Sequence, residues 1–275
     1  MPELPEVETM VREVRQALTG RRIQSATLSH IDILRGVTRP KLLKSLTGAA
    51  IVDVTRRAKH GVVHLDNGFH FVLQPGMTGN ILIYDRPLSD AEAKYAVLRA
   101  TLDNGTEFVF RDVRRIGTLL LLNEKQWQQY NDDLGPEPLD PALTAEQFAE
   151  QMRHSTQAIK KTLMDQKRIV GVGNIYANEA LFAAGIDPSK PSNRVPAEKW
   201  PLLYRHTRRI LQAAIDSEGT TFRDYRTASG QPGNFQLQLM VYEREGEPCM
   251  VCGTRLSGTH DIDGRITVFC HRCQS

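Results

Sequence analysis

The chain has 275 residues, 40% hydrophobic and 24% charged, with 35 Lys and Arg against 32 Asp and Glu for a net charge of +3. No apolar run is long enough to span a bilayer, and the start of the chain lacks the apolar core of a secretory signal, so no membrane role is expected and the cytoplasm is the expected compartment. The length suits two domains with separate cores.

The chain opens Met1-Pro2-Glu3-Leu4-Pro5-Glu6. Removal of Met1 exposes Pro2 as a secondary amine beside the Glu3 carboxylate. An α-amine titrates at about 7.7–8.0 and can attack an electrophilic carbon. A secondary amine then gives an iminium ion, a permanent cation and electron sink. Glu3 is a ready proton shuttle, and Glu6 is a second acid one helical turn on. The same prolines and glutamates equally suit a helix N-terminus. A helix is predicted over 6–18, with Val7, Met10, Val11, Val14 and Leu18 on one face and Gly20 as its stop.

From Arg22 to about Leu122 the pattern is that of strands. Ile51–Val54, Val62–Leu65, Phe69–Leu73 and Phe108–Phe110 are short β-like runs, and Asp66-Asn67-Gly68 and Asp103-Asn104-Gly105 are hairpin turns that accept positive φ cheaply. An antiparallel β-sandwich with the first helix packed on it is expected over 1–130. Residues 131–144, with three prolines and a glycine, read as a linker. A helical domain follows over 145–240, with helices at 145–153, 155–166, 175–184, 197–217 and 220–226.

Within it, Val170-Gly171-Val172-Gly173-Asn174 precedes a helix. Glycines there let backbone amides approach an anion at the positive end of the helix, although tight packing explains them as well. Basic residues cluster at Arg56, Arg57, Lys59 and His60; at Arg111, Arg114 and Arg115; at Lys160, Lys161, Lys167 and Arg168; and at Arg205, Arg208 and Arg209. Any one cluster reads as a solvated face, but four together favour a polyanionic partner.

All four cysteines fall in the last 27 residues, as Cys249-x2-Cys252 and Cys270-x2-Cys273 with 17 residues between the pairs. Paired CxxC knuckles joined by a hairpin match one structural Zn2+ held by four thiolates, over a module at 241–275. Two disulfides are the alternative, without other signs of a secreted chain.

The opening hexapeptide, Arg56-Arg57-Ala58-Lys59, Leu134-Gly135-Pro136-Glu137-Pro138-Leu139, Val170 through Glu179 and the cysteine hairpin occur in that order. Together they resemble the formamidopyrimidine-DNA glycosylase family along essentially the whole chain. The resemblance implies an α+β multidomain protein: an N-terminal antiparallel β-sandwich with a flanking helix, then a helix-two-turn-helix domain with a zinc-ribbon β-hairpin. It implies a DNA-repair enzyme that excises oxidised purines from damaged double-stranded DNA and cleaves the abasic site, acting as a monomer. In those terms Pro2 matches the nucleophile, Glu3 the general acid/base and Glu6 a supporting carboxylate. Lys59, Asn174 and Arg265 match phosphate contacts, Lys160 a lysine near the damaged base, and Tyr242 a tyrosine on a backbone phosphate. Met77, Arg114 and Ile116 match residues that fill the gap left by an extruded base. Taken singly, Lys160 also reads as solvated helix surface, Arg265 as an exposed hairpin charge and Met77 as core.

The chain departs from the family pattern at Ile116, where phenylalanine is usual, at Gln74-Pro75, which replaces His-Leu, and at Asn234, where tyrosine is common in the base-capping loop Ala228–Phe235. An endonuclease VIII-like enzyme for oxidised pyrimidines is disfavoured by Leu4, where that branch has glycine. A non-catalytic damaged-DNA binder stays open because of Ile116 and Asn234. A transcription-type zinc ribbon leaves the N-terminus without a role.

Overall fold

The computed structural model describes residues 2–221 and 231–275, which divide into two compact units: 1–132 with 217–234, and 133–216 with 235–275. Most of the segment predicted as a helix at 220–226, and Ala228, Ser229 and Gly230 of the capping loop, lie outside the described residues.

Helix α1 (Leu4–Leu18) starts two residues earlier than its apolar period suggests, because Pro5 supplies a pre-set φ in the first turn and Glu6 adds an acid there. Val7, Met10, Val11, Val14 and Leu18 are all at most 3% exposed, and burying each contributes about 1.5–3 kcal/mol relative to leaving it in water. That face packs on β2 (Ile51–Arg57), β3 (His60–Leu65) and β5 (Gly79–Tyr84). Thr19 ends the helix and Gly20 turns the chain at φ 81°.

Two four-stranded antiparallel sheets make the sandwich. One has the order β1 (Ile23–Leu28), β6 (Ala96–Leu102), β7 (Glu107–Asp112), β5; the other has β2, β3, β4 (Phe69–Gln74), β8 (Thr118–Asn123). Side chains from both sheets, among them Phe71, Leu73, Leu98, Phe108, Phe110 and Leu119, join those of α1 in one core. The two Asn-Gly turns fall where predicted, joining β3 to β4 and β6 to β7, with Gly68 at φ 77° and Gly105 at φ 83°. Three short helices were not anticipated. They are α2 (Arg39–Leu46), α3 (Asp90–Ala93) and α4 (Glu124–Asp132). α2 buries only Leu42 and Leu46 and α4 buries no residue fully, so neither carries a strong apolar period.

In the second unit, α5 (Ala145–Glu150), α6 (Ile159–Leu163), α7 (Asn174–Ala184) and α8 (Lys199–Asp216) correspond to four predicted helices. The second is much shorter than 155–166. Its first residues pair instead with a distant segment that leads into a short 3-10 helix (Ser192–Arg194): Ala158 bridges Pro191, and the Gln157 and Ser155 carbonyls accept the N–H groups of Ser192 and Asn193 at 2.9 Å. Between α6 and α7 the Gln166 side chain shapes the turns, accepting from Gly171 N at 2.8 Å and donating to the Met164 and Val172 carbonyls. Strands β9 (Ser257–Thr259) and β10 (Thr267–Phe269) form the terminal hairpin.

His60 gives the first unit a defined pH response. It is 7% exposed and its Nδ1 lies 3.1 Å from the Tyr130 hydroxyl. Burial, then the charges of Lys59 and Arg57, push its pKa from 6.5 down to about 4. The unfolded chain therefore takes up the proton first, and stability present above pH 6.5 is lost as pH falls toward 4. The loss amounts to about 3 kcal/mol across that window. Thermal melts between pH 7.5 and 4.5 should show this slope, and His60→Gln should flatten it; equal slopes in both proteins would refute the assignment.

Candidate active site and nucleic-acid interface

Pro2, Glu3 and Glu6 lie together, buried, at the entry to α1, with Glu3 4% and Glu6 2% exposed. The Glu3 N–H donates to Oε2 of Glu6 at 2.8 Å, and the Thr220 N–H donates to Oε1, also at 2.8 Å. Both carboxylate oxygens of Glu6 thus engage backbone donors. One fastens the helix entry and the other fastens the segment after α8. Such charge-assisted bonds are stronger than neutral ones, and an anion at a helix N-terminus is favoured by the dipole. Glu6 therefore orients the leading residues, and the Glu3 side chain in turn accepts the Glu6 N–H in a reciprocal capping box.

Lys59 sits half-buried in the tight β2–β3 turn, where Ala58 adopts φ 55°. Its basic neighbours are tied into the fold. Arg56 Nε donates to Glu8 Oε2 at 2.7 Å and its Nη1 donates to the Ala58 carbonyl at 3.0 Å. Burial alone would raise the Glu8 pKa, but the hydrogen bonds and charges of Arg56 and Arg12 hold it below the usual carboxylate range. Arg57 Nε donates to Asn131 Oδ1 at 2.5 Å. The 56–60 cluster is thus largely structural rather than a solvated basic face.

Met77, Arg114 and Ile116, remote in sequence, come together at the ends of β4–β5 and β7–β8. Met77 and Ile116 are 39% and 46% exposed, and Arg114 Nη1 lies 3.7 Å from Met77 Sδ. Gly76 permits this approach: a Cβ there would lie 2.6 Å from Ile116 Cγ1. Met77 is not core.

In the second unit, Lys160, Asn174 and Arg265 converge on the terminal hairpin. Lys160 is fully buried rather than solvated. Its ammonium donates to Thr267 Oγ1 at 2.7 Å, the Ile266 carbonyl at 3.3 Å and Asp263 Oδ1 at 3.4 Å. Asn174 Nδ2 donates to the same Ile266 carbonyl at 3.0 Å. Asp263 Oδ1 also accepts the Arg265 N–H at 3.1 Å. Lys160 thereby holds the turn that presents Arg265, whose side chain is exposed.

Two further residues of α7 hold the C-terminal module. Asn178 Oδ1 accepts Val268 N–H at 2.7 Å. Glu179 accepts the N–H groups of Met240, Val241 and Tyr242, each at 2.9 Å, and so sets the backbone of Tyr242. Burial raises the Glu179 pKa and these three donors oppose the rise. The sequence signal for both was two adjacent polar residues, Asn178 and Glu179, in a helix whose remaining residues after Asn174 are apolar or aromatic.

The Sγ atoms of Cys249, Cys252, Cys270 and Cys273 all lie within 4.8 Å of one another, with 4.0 Å from Cys249 to Cys273 and 3.5 Å from Cys252 to Cys270. A tetrahedron with metal–sulfur bonds of ~2.3 Å has edges of ~3.8 Å, so the set fits one tetrahedral ion. All four cysteines are free thiols, so the disulfide alternative does not apply. Hydrogen bonds from Thr254 pull Cys252 down to about 6, while burial and the neighbouring thiols push Cys273 up to about 12.

The model of the formamidopyrimidine-DNA glycosylase N-terminal domain matches residues 1–119, and that of the formamidopyrimidine-DNA glycosylase H2TH domain matches 134–226. The chain belongs to the formamidopyrimidine-DNA glycosylase family. It is 40% identical over 274 residues to the formamidopyrimidine-DNA glycosylase of Xanthomonas campestris, covering all of both chains. A mutant Lactococcus lactis FPG in complex with Fapy-dG containing DNA superposes with a TM-score of 0.90 at 32% identity over the full length of both. The Lactococcus lactis Fpg in complex with abasic-site DNA gives 0.88 at 32% identity over 99% of each chain. The present glycosylase thus shares both the sandwich and the helix-two-turn-helix architecture of its family, with a cysteine cluster suited to a zinc finger. No helix among its described residues is long and apolar enough to cross a membrane.

Replacing Lys160 by Met should leave Asp263 and Thr267 without their buried cation and cost on the order of 3 kcal/mol. Amides of residues 263–268 should lose hydrogen-exchange protection while α8 keeps its own. Unchanged protection of the hairpin would refute the clamp.

Proposed function

We propose that this glycosylase is bifunctional: it excises oxidised purines such as 8-oxoguanine and formamidopyrimidines from duplex DNA and then cleaves the abasic site. The observation that carries the reading is the junction of Pro2 and Glu3, buried at the rigid entry to α1 and fastened there by Glu6. The Fapy-dG and abasic-site DNA held by the Lactococcus lactis relatives supports the choice of substrate.

With Met1 removed, the Pro2 nitrogen lone pair attacks C1′ of an extruded nucleotide, and the base departs with the C1′–N bond pair and takes up a proton. Glu3 protonates the ring oxygen, the sugar opens, and an iminium forms between Pro2 and C1′. The cation acidifies the 2′ C–H; loss of that proton sends its electrons to C2′–C3′ and expels the 3′ phosphate. A second elimination expels the 5′ phosphate, and water hydrolyses the iminium to free Pro2. Each stage needs an electron sink and a proton shuttle, which Pro2 and Glu3 supply.

Extrusion costs a few kcal/mol and must be offset by grip on the flanking backbone. Lys59, Asn174, Arg265 and Tyr242 supply phosphate contacts, with Lys160 acting through the hairpin. Met77 and Ile116 fill the vacated stack, and Arg114 reads the orphaned base. The four cysteines hold one Zn2+, which fixes the hairpin and takes no part in the chemistry. The enzyme acts as a monomer in the bacterial cytoplasm.

Borohydride trapping on 8-oxoguanine duplexes tests the chemistry. Protein whose intact mass shows loss of Met1 should form a covalent adduct. Pro2→Gly should trap severely less, and Glu3→Gln should lower excision by about 10²–10⁴-fold. Wild-type nicking by Glu3→Gln would overturn its role, and the absence of any adduct would overturn the amine mechanism. Lys59→Ala and Arg265→Ala should each weaken binding across sequences and reduce the slope of log K against log salt by about 1; an unchanged slope in both would remove them from the phosphate contacts. Chelation should release one zinc per chain and abolish DNA binding, and retained affinity in the metal-free protein would refute the structural role of the ion.

A further inference from the structure

Asp112, the last residue of β7, is 1% exposed, and among the described residues no lysine or arginine pairs with it. An isolated buried carboxylate is costly unless donors satisfy it. Here three neutral donors do so, and they come from two different loops. Thr78, itself 5% exposed and one residue from Met77, donates its hydroxyl to Oδ1 at 2.5 Å. The Arg114 N–H donates to Thr78 Oγ1 at 2.9 Å and to Asp112 Oδ1 at 3.3 Å. The Gly117 N–H donates to Oδ2 at 2.8 Å. One oxygen thus ties the 75–79 loop to the start of the 113–117 loop, and the other ties down that loop's end.

The glycines fit the same design. A Cβ on Gly117 would lie 2.9 Å from Asp112 Oδ2 and 2.7 Å from the Gln74 carbonyl, so a side chain there would drive the carboxylate and the two loops apart. Arg115, between the anchored ends, adopts φ 52°, a conformation unfavourable for a non-glycine residue and sustained by its surroundings. Above this buried base, Met77, Val113 and Ile116 stand 39%, 41% and 46% exposed. The contrast is between a rigid polar root and an apolar tip facing water.

We propose that Asp112 is a positioning residue that joins the two loops into one preassembled wedge, so that Met77, Arg114 and Ile116 enter the duplex gap together and Arg114 meets the orphaned base in a fixed pose. The proposal rests on the wedge role assigned to those three residues above. The side-chain hydrogen bonds of Asp112 run to Thr78, Arg114 and Gly117, and none runs to Pro2 or Glu3. Its loss should impair the steps that need a duplex gap to be filled and read, and spare the elimination chemistry at Pro2.

Single-turnover rates on two probes separate these steps: an 8-oxoguanine duplex with each of the four opposite bases, and an abasic site in a single-stranded oligonucleotide, which has no gap to fill. Asp112→Ala should lower the ratio of duplex to single-strand rate by about tenfold or more, as misplacement of a positioning element does, and narrow the spread of rates among opposite bases. Asp112→Asn, which keeps one acceptor oxygen, should fall between it and wild type. Equal loss on both probes, or an unchanged ratio and opposite-base preference, would overturn the proposal. If melting shows Asp112→Ala to be unfolded, Thr78→Val and Asp112→Asn decide it. Each should lower the ratio, and the double variant should be no worse than the worse single; additive losses would overturn the shared anchor. A wild-type protein inert on both probes would overturn the amine mechanism itself, and is distinguished from failure of the wedge by that control.

Discussion

The carboxylate of Glu6 is the constraint on which the start of the first unit depends. A chain terminus is ordinarily the most mobile part of a domain. Here α1 is held by an apolar face sunk into the sandwich core, and the two oxygens of Glu6 clamp the Glu3 and Thr220 amides. Helix burial supplies the energy, and the hydrogen bonds supply the direction. Pro2 and Glu3 inherit rigidity from the helix that follows them, to which the Glu3 side chain is itself joined by the reciprocal capping box with Glu6.

The same division of labour recurs in the second unit. The terminal hairpin has only three residues in each strand, too few to be stable alone. It is ordered by side chains from below: Lys160 and Asn174 on the Ile266 carbonyl, Asn178 on Val268, and Glu179 on the turn at 240–242. The four thiols, all within 4.8 Å of one another, form a set that could hold one ion. Exposed Arg265 is therefore the visible tip of a buried polar network. The unfilled oxygen of that network, Asp263 Oδ2, is buried without a partner among the described residues.

Positive charge divides between structure and surface in a way that composition conceals. Arg56, Arg57 and Arg208 end on Glu8, Asn131 and the carbonyls of Pro138 and Asp140, while His60 is buried and neutral near pH 7. Counting basic residues overstates the surface left for a polyanion. What matters is which guanidinium groups the fold has already engaged, as Arg114 and Arg265, both exposed, illustrate.

Local patterns determined much of this protein by themselves. The period of α1, the two Asn-Gly hairpins, the run of helices after 145 and the paired CxxC knuckles depend on neighbours in the chain, and such signals are readable in one dimension. Pro2, its adjacent carboxylate and the cysteine set follow from residue order alone. Tertiary structure decided the rest, because burial and long-range partners leave no local mark. It shortened the helix predicted at 155–166 by pairing its start with residues 190–193, took Lys160 out of solvent and placed it beneath Arg265, and set both oxygens of Glu6 against backbone N–H groups. It also joined Thr78, Arg114 and Gly117 at one buried carboxylate. Hydrogen bonds that span tens of residues are set by where the core brings two segments together, and no period or motif within either segment encodes that meeting.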